Sequence, residues 1–252
     1  MKLSFSDKNK KDIFSSIFQL LKSCTSTIHI TFRTEELYIQ GMDKSHICLF
    51  EIKLHSSWFD LYESSNEEIS VNAQIFSNIL SMNKEHHSIH ISYKKDSDQC
   101  NIDFITEENK GDFNTSFMIP LMDIEHILLD IPDVEYDAEF SIYAKKMSDM
   151  LSQLLVFGEI IHIECNEETI VLCSKDISGE MQVTIPMNDL SEYAIGESIQ
   201  TSYSLTYLSK MCMTTKLSSE IQFSISAEFP MKIKYDLGSG SQVLFFIAPK
   251  IE

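Results

Sequence analysis

Glycine and proline are scarce: 7 and 5 in 252 residues. So few glycines leave little room for the glycine-rich loops that cradle phosphates. The six cysteines, Cys24, Cys48, Cys100, Cys165, Cys173 and Cys212, include no CxxC pair, so a zinc ribbon or dithiol redox centre is excluded. The first residues, MKLSFSDKNKK, hold no apolar stretch of signal-peptide type, and the cysteines read as reduced, mostly buried thiols of an intracellular chain. No run approaches the roughly 18 apolar residues a membrane span needs. Positive charge is also in deficit, with 20 Lys+Arg against 38 Asp+Glu and a net charge of −18. Taken as an average, that argues against non-specific nucleic-acid binding, which rests on neutralising phosphates. At 43% hydrophobic and 23% charged, the chain can nevertheless bury a sizeable core, in one large domain or two.

A repeat is present. Four stretches carry apolar residues at helical spacing: Ile13, Phe14, Ile17, Phe18, Leu20 and Leu21; Ile75, Phe76, Ile79, Leu80 and Met82; Met147, Met150, Leu151, Leu154 and Leu155; Leu205, Leu208, Met211 and Cys212. The first and third, and the second and fourth, lie about 132 residues apart. Strand-like alternation follows the same offset, in Ile28, Ile30 and Phe32 and again in Ile161, Ile163 and Cys165. LYIQGMDKSHICLFEIKL and TIVLCSKDISGEMQVTIP each read as strand, loop, strand. IHISY, CNIDFI and TSFMI follow the second helix; IQFSI, MKIKY and VLFFIA follow the fourth. The predicted fold is α+β, two similar domains per chain, each with two helices on antiparallel sheets. The boundaries fall at 1–117, 118–137 and 138–252. The middle stretch, MIPLMDIEHILLDIPDVEYD, carries Pro120 and Pro132 and reads as a connecting loop. It also carries Ile127, Leu128, Leu129 and Ile131, so it is either packed down or open to a partner.

The charges are unevenly placed. The helical segments 8–22, 72–84, 145–157 and 204–216 hold nine lysines and two aspartates, a net +7, and the remainder sums to −25. Lys8, Lys11, Ser15, Gln19 and Lys22 fall on one face, as do Gln74, Asn78, Ser81 and Lys84. Such lysines can simply solubilise an exposed helix, but solubilising helices usually pair them with acids. Four nearly acid-free helices in an acidic chain favour a shared surface for a polyanion.

Little else suggests chemistry. His86, His87 and His90 cluster at the start of a strand, yet adjacent residues of a strand point to opposite sides, which disfavours a metal. Glu67–Glu68, Glu107–Glu108 and Glu167–Glu168 read as solvated turns, and GSGSQ (238–242) as a hairpin turn. No cofactor, metal site or catalytic residue is expected, and an enzyme has little support.

LYIQGMDKSHICLFEIKL, Ile131 and Pro132 with Tyr136 after them, KLSSEIQFSISAEFPMKIKY and the final FFIAPKIE resemble the proliferating cell nuclear antigen family, nearly end to end. The resemblance implies the DNA clamp fold: a homotrimeric ring of six domains in pseudo-sixfold array, helices lining the hole and sheets outside. It implies a sliding clamp and polymerase processivity factor encircling double-stranded DNA without reading sequence, set in place by an ATP-dependent clamp loader. The DNA-facing candidates are Lys8, Lys11, Lys22, Lys84, Lys145, Lys146, Lys210 and Lys216. A nuclear setting, or a viral replication site, would follow, with no membrane partner. DNA polymerase and other partners would dock a PIP-box-like peptide, an aromatic pair and an aliphatic plug, into an apolar groove. The matching positions are Met42, His46, Ile47, Leu49, Leu129, Ile131, Pro132, Tyr136, Pro230, Phe246, Ala248, Pro249 and Ile251. Met42 and Leu49 have core packing as the alternative, and His46 is the polar candidate for a hydrogen bond to the peptide. Subunits would join through edge strands near 113–119 and 180–186. The sequence departs from the family pattern where Ser15, Ser16, Asn78, Ser81, Asp149, Ser152, Thr206 and Met213 replace basic helix residues, which implies weaker DNA contact. Glu167 stands where eukaryotic members carry a ubiquitin or SUMO acceptor lysine. The alternatives are a subunit of a heterotrimeric or checkpoint-type clamp, or a protein-interaction scaffold with weak DNA contact.

Overall fold

The computed structural model describes residues 1–106, 113–124 and 126–250. Glu107, Glu108 and Ile251 lie outside the described residues. The chain forms two compact units, Met1–Lys44 with Glu51–Leu129 and Leu237–Gln242, and Ser45–Phe50 with Asp130–Asp236 and Val243–Glu252.

The first half of the chain runs β1 (Lys2–Phe5), α1 (Lys8–Cys24), β2 (Thr27–Phe32), β3 (Glu36–Met42), β4 (Cys48–His55), β5 (Leu61–Glu63), β6 (Glu67–Asn72), α2 (Ala73–Leu80), β7 (His87–Tyr93), β8 (Gln99–Thr106) and β9 (Thr115–Pro120). The second half repeats it: β10 (Ala138–Tyr143), α3 (Ala144–Leu154), β11 (Ile160–Cys165), β12 (Thr169–Asp176), β13 (Gly179–Pro186), β14 (Glu192–Ile195), β15 (Ile199–Ser204), α4 (Leu205–Cys212), β16 (Glu220–Ile225), β17 (Met231–Gly238) and β18 (Ser241–Ile247). The strand orders repeat too. β5-β1-β7-β8-β9 matches β14-β10-β16-β17-β18, and β4-β3-β2-β6 matches β13-β12-β11-β15. Every pairing with a resolved register is antiparallel, as in β2 with β6 and β11 with β15.

Local chemistry sets the helices. The Asp7 carboxylate accepts from the Lys10 N–H at 2.9 Å and starts α1; Asn72 does the same for Ile75 at 3.0 Å and starts α2. The stripe of α1 is buried throughout, and its rings continue into α2: Phe14–Phe18 centroids lie 4.8 Å apart and Phe18–Phe76 4.6 Å. In the second unit Met147, Leu151 and Leu154 of α3 and Leu205, Leu208, Met211 and Cys212 of α4 are buried. Tyr235 of β17 donates to the Met211 carbonyl at 2.9 Å, serving one of the acceptors a helix end leaves open. The turn between β17 and β18 needs positive φ at three successive residues, Gly238, Ser239 and Gly240, which two glycines permit. All six cysteines are free thiols; Cys173 is half-buried and the others are buried.

Three expectations shift. Ile75 and Met82 sit outside the core, 46% and 57% exposed: Ile75 lies on the outward face of α2, which buries Phe76, Ile79 and Leu80, and Met82 follows the helix end at Leu80. The connecting loop begins at 121 rather than 118: Met118 and Ile119 pair with Asn101 and Cys100 in β9, and Pro120 closes the strand. α1 and α3 start at 8 and 144, an offset of 136, while α2 and α4 keep 132, at 73 and 205.

Candidate nucleic-acid and partner interfaces

The helix lysines do not form one class. Lys146 of α3 and Lys84 and Lys216, in the turns after α2 and α4, are exposed. Lys22, in the last turn of α1, is half-buried, and Lys210 of α4 stands 5.8 Å from the ring centre of Tyr207. Lys8 pairs with Glu85 at 3.0 Å, which raises its own pKa and lowers that of Glu85. Lys145 pairs with Asp149 one helical turn on.

Lys11 corrects the expectation of a DNA-facing position. It is 1% exposed, and its ammonium donates to the carbonyls of Lys84 and Glu85, at 3.2 and 2.7 Å, and of His87. Burial holds its pKa below the ordinary lysine value, against the pull of Asp12, Glu85 and Asp7. The spacing signals this: Lys11, Phe14, Phe18 and Leu21 follow one another at steps of three and four, on the core stripe. Ser16, counted among the departures, is also buried and donates to the Asp12 carbonyl, while Ser15 is half-buried. Asn78, Ser81, Asp149, Ser152, Thr206 and Met213 are exposed.

The groove candidates divide between the units. In the first, Met42 ends β3 half-buried and Leu129 is 43% exposed. In the second, His46 is exposed with φ of +58°, and Ile47 and Leu49 are half-buried. Ala248 donates its N–H to the Ile47 carbonyl at 3.0 Å, which places the tail on this segment. Ile131, Tyr136, Phe246, Ala248 and Pro249 are half-buried, and Pro132 and Pro230 exposed. Lys232 stands 4.4 Å from the centre of the Tyr136 ring, and burial raises the phenol's pKa. Ile127 and Leu128 of the connecting segment are 80% and 47% exposed, so the segment turns apolar side chains outward. Sequence reasoning missed Gln40, His126 and His29, which hold this segment on its sheet.

The other constellations are held by local contacts. His87 is buried and its ring stacks on Phe104 at 5.7 Å, His90 bonds Ser88 at 2.9 Å, and His86 is exposed. Among the described residues no group of three metal-ligating side chains converges. Glu67 is not a solvated turn residue: the N-terminal ammonium at 3.0 Å, Ser64 Oγ at 2.9 Å and the Ser65 N–H at 2.7 Å all donate to it. Burial alone would raise its pKa, but these donors bring it down to about 2. A cleft of about 560 Å³ lies on the β11–β12–β15 face of the second unit, lined by His162, Cys173, Gln200, Ser202 and Lys250 among others. Burial and the Glu180 carboxylate push the Cys173 thiol up, the wrong direction for a nucleophile. No helix of the described residues is long and apolar enough to cross a membrane.

Comparison with known proteins agrees with the duplicated architecture. The N-terminal domain of proliferating cell nuclear antigen matches residues 6–128 and the C-terminal domain residues 130–250. Proliferating cell nuclear antigen 1 of Plasmodium falciparum is 28% identical, over 97% of this chain and 95% of its own length. Proliferating cell nuclear antigen of Chaetomium thermophilum is 25% identical, over 95% of each chain. The DNA polymerase sliding clamp of Methanococcus maripaludis is 24% identical, over 93% of this chain and 96% of its own. With both halves matched in order, the chain belongs to the proliferating cell nuclear antigen family.

Proposed function

We propose that this chain is a DNA sliding clamp and polymerase processivity factor, working as a homotrimeric ring closed around duplex DNA. One observation carries the reading: a duplicated unit whose helical segments 8–22, 72–84, 145–157 and 204–216, taken with the turns after α2 and α4, sum to +7 in a chain of net −18, although α2 itself holds no lysine. Retention by encirclement needs only weak, sequence-independent phosphate contacts, which the exposed Lys146, Lys84 and Lys216 suit. The acidic remainder repels DNA elsewhere and confines it to the bore.

Ring closure has its own support. β9 and β13 are terminal strands in their strand orders. Neither carries a lysine, the charge that most often guards an edge, and β9 exposes Met118 at 70%. Head-to-tail pairing of one with the other closes a ring when the rotation fits. Polymerase and other partners would dock PIP-box-like peptides on Ile131, Pro132 and Tyr136 and on the tail at Ala248 and Pro249, all of the second unit, after an ATP-dependent loader has opened the ring. The setting is a nuclear or viral replication site, and the role is binding rather than catalysis.

Light scattering across a dilution series tests the assembly. Three chains of 29.0 kDa give about 87 kDa. Persistent monomer would move the reading to a heterotrimeric clamp needing other chains. Loading onto closed circular DNA tests the bore: replacing Lys22 and Lys210 together should slow loading or sliding with peptide binding intact. A ring that never loads would be an interaction scaffold, the reading that the buried Lys11 and the paired Lys8 and Lys145 favour.

A further inference from the structure

The connecting segment is fastened to the first unit at three points. Met122 donates its N–H to the Ser70 carbonyl of β6 at 2.9 Å. The His126 Nε2 lies 2.9 Å from the Gln40 carbonyl of β3. The Gln40 side chain then grips Leu129 twice: its Nε2 donates to the Leu129 carbonyl at 2.8 Å, and its Oε1 accepts the Leu129 N–H at 2.7 Å. Under the middle point lies a second imidazole. The His29 ring of β2 meets His126 edge to face, centroids 4.3 Å apart, while its Nδ1 lies 2.9 Å from Ser70 Oγ.

The internal repeat isolates what is special here. In the second unit His162 and Ser202 occupy the same cross-strand positions, 2.8 Å apart, and Lys250 donates to the Ser202 carbonyl as Met122 does to Ser70. There the equivalent face is the open 560 Å³ cleft. A His–Ser pair beneath an irregular segment that follows a strand is thus common to both units, whereas His126 and the Gln40 grip belong to the first.

We propose that Gln40, His126 and His29 are positioning residues that latch residues 122–124 and 126–129 onto the sheet, and that acid releases the latch. The latched imidazoles sit against each other, and two cations at that distance repel. On β6, Glu68 faces them, its carboxylate 3.7 Å from His29 Nε2 but 59% exposed, so it offsets one charge and not two. β3 presents only the uncharged Gln40, and Asp123 and Asp130 flank His126 in sequence. Burial is the main cause that lowers both histidines, with His126 adding to it for His29 and Glu68 opposing it. The latched state therefore binds fewer protons than the released one just below pH 6.5, histidine's ordinary value, and its stability falls as pH drops through that value.

Hydrogen exchange of the Leu129 amide, on the full chain without partner and corrected for intrinsic rates, tests the latch. Exchange in the unaltered chain should quicken about tenfold from pH 7.5 to 5. Gln40→Ala should already be fast at pH 7.5, and His126→Gln, which keeps a neutral donor, should flatten the pH profile. Equal protection in Gln40→Ala, or an unchanged profile in His126→Gln, overturns the proposal. The consequence for partners rests on the groove reading, and a parallel titration with a PIP-box peptide separates the two. A peptide that fails to bind at every pH while the exchange behaves as stated defeats the groove alone; a flat exchange profile beside normal binding defeats the latch alone.

Discussion

The ammonium of Lys11 is hydrogen-bonded to the carbonyl of His87, joining α1 to the start of β7 from inside the first unit. The same ammonium takes the Lys84 and Glu85 carbonyls, so it gathers the turn that follows α2. A buried cation held by three acceptors is a fixture of the fold, and its removal leaves carbonyls without a donor. Lys11→Ala should lower stability by about 2–3 kcal/mol, read by urea unfolding. A surface lysine replaced in the same way would change it by under about 0.5 kcal/mol. Unchanged stability together with weakened DNA contact would return Lys11 to the bore.

Glu67 gives the fold a carboxylate-dependent pH profile. Its folded pKa, about 2, lies below the ordinary value of 4.5, so its stabilisation is present above the ordinary value and lost as pH falls towards the folded one. At neutral pH a difference of this size corresponds to about 3 kcal/mol before solvent screening at this near-surface site, and Glu67→Gln should remove part of it. The variant and the unaltered chain should therefore converge in urea midpoint as pH falls from about 5 to about 2. Parallel profiles would show that the three donors bind the neutral amide equally well.

These two residues mark where sequence reading stops. Apolar periodicity located all four helices, because a buried stripe needs a residue every three or four positions and Phe14, Phe18, Leu151 and Leu208 supply it. Alternation located β7, β8 and β16 for the same reason. The short β1, β5 and β14 escaped notice, since three or four residues hold too little pattern to separate a strand from a loop. Lys11 was legible by spacing and misread by type. The Glu67 donors and the Gln40 grip were not legible: Gln40 and Leu129 are 89 residues apart, and a contact of that range leaves no local trace. Groove positions entered through resemblance to a family rather than through any pattern of their own.

On the partner side, Ile131 and Pro249 are half-buried members of the candidate groove that sit outside regular elements. Interface energy concentrates in a few anchors, so Ile131→Asp or Pro249→Gly should weaken a PIP-box peptide by tenfold or more, about 1.4 kcal/mol or above. The molar mass should stay that of the parent chain. Calorimetry with the peptide decides it, and retained affinity in both variants would move the docking surface elsewhere.

Edge chemistry offers a direct test of assembly. Met118 of β9 is 70% exposed, on a strand that ends its strand order beside β8, and its place in the register, opposite Asn101, is fixed. A charge on an open edge hinders strand addition without disturbing the strand's own pairing. Met118→Lys should therefore change the unfolding free energy of the monomeric unit by no more than about 0.5 kcal/mol. It should nevertheless shift the mass from three chains towards one at low micromolar concentration. Mutating the opposite edge at an exposed position, Thr184→Lys on β13, should do the same, because head-to-tail pairing uses one edge from each neighbour. An equimolar mixture of the two variants should recover no closed ring. In the proposed ring each chain would contribute its β9 to one joint and its β13 to the other, so every ring would still hold a substituted edge in at least one joint. A variant pair that assembles as well as the parent would show that the chains, if they associate, do so through other surfaces.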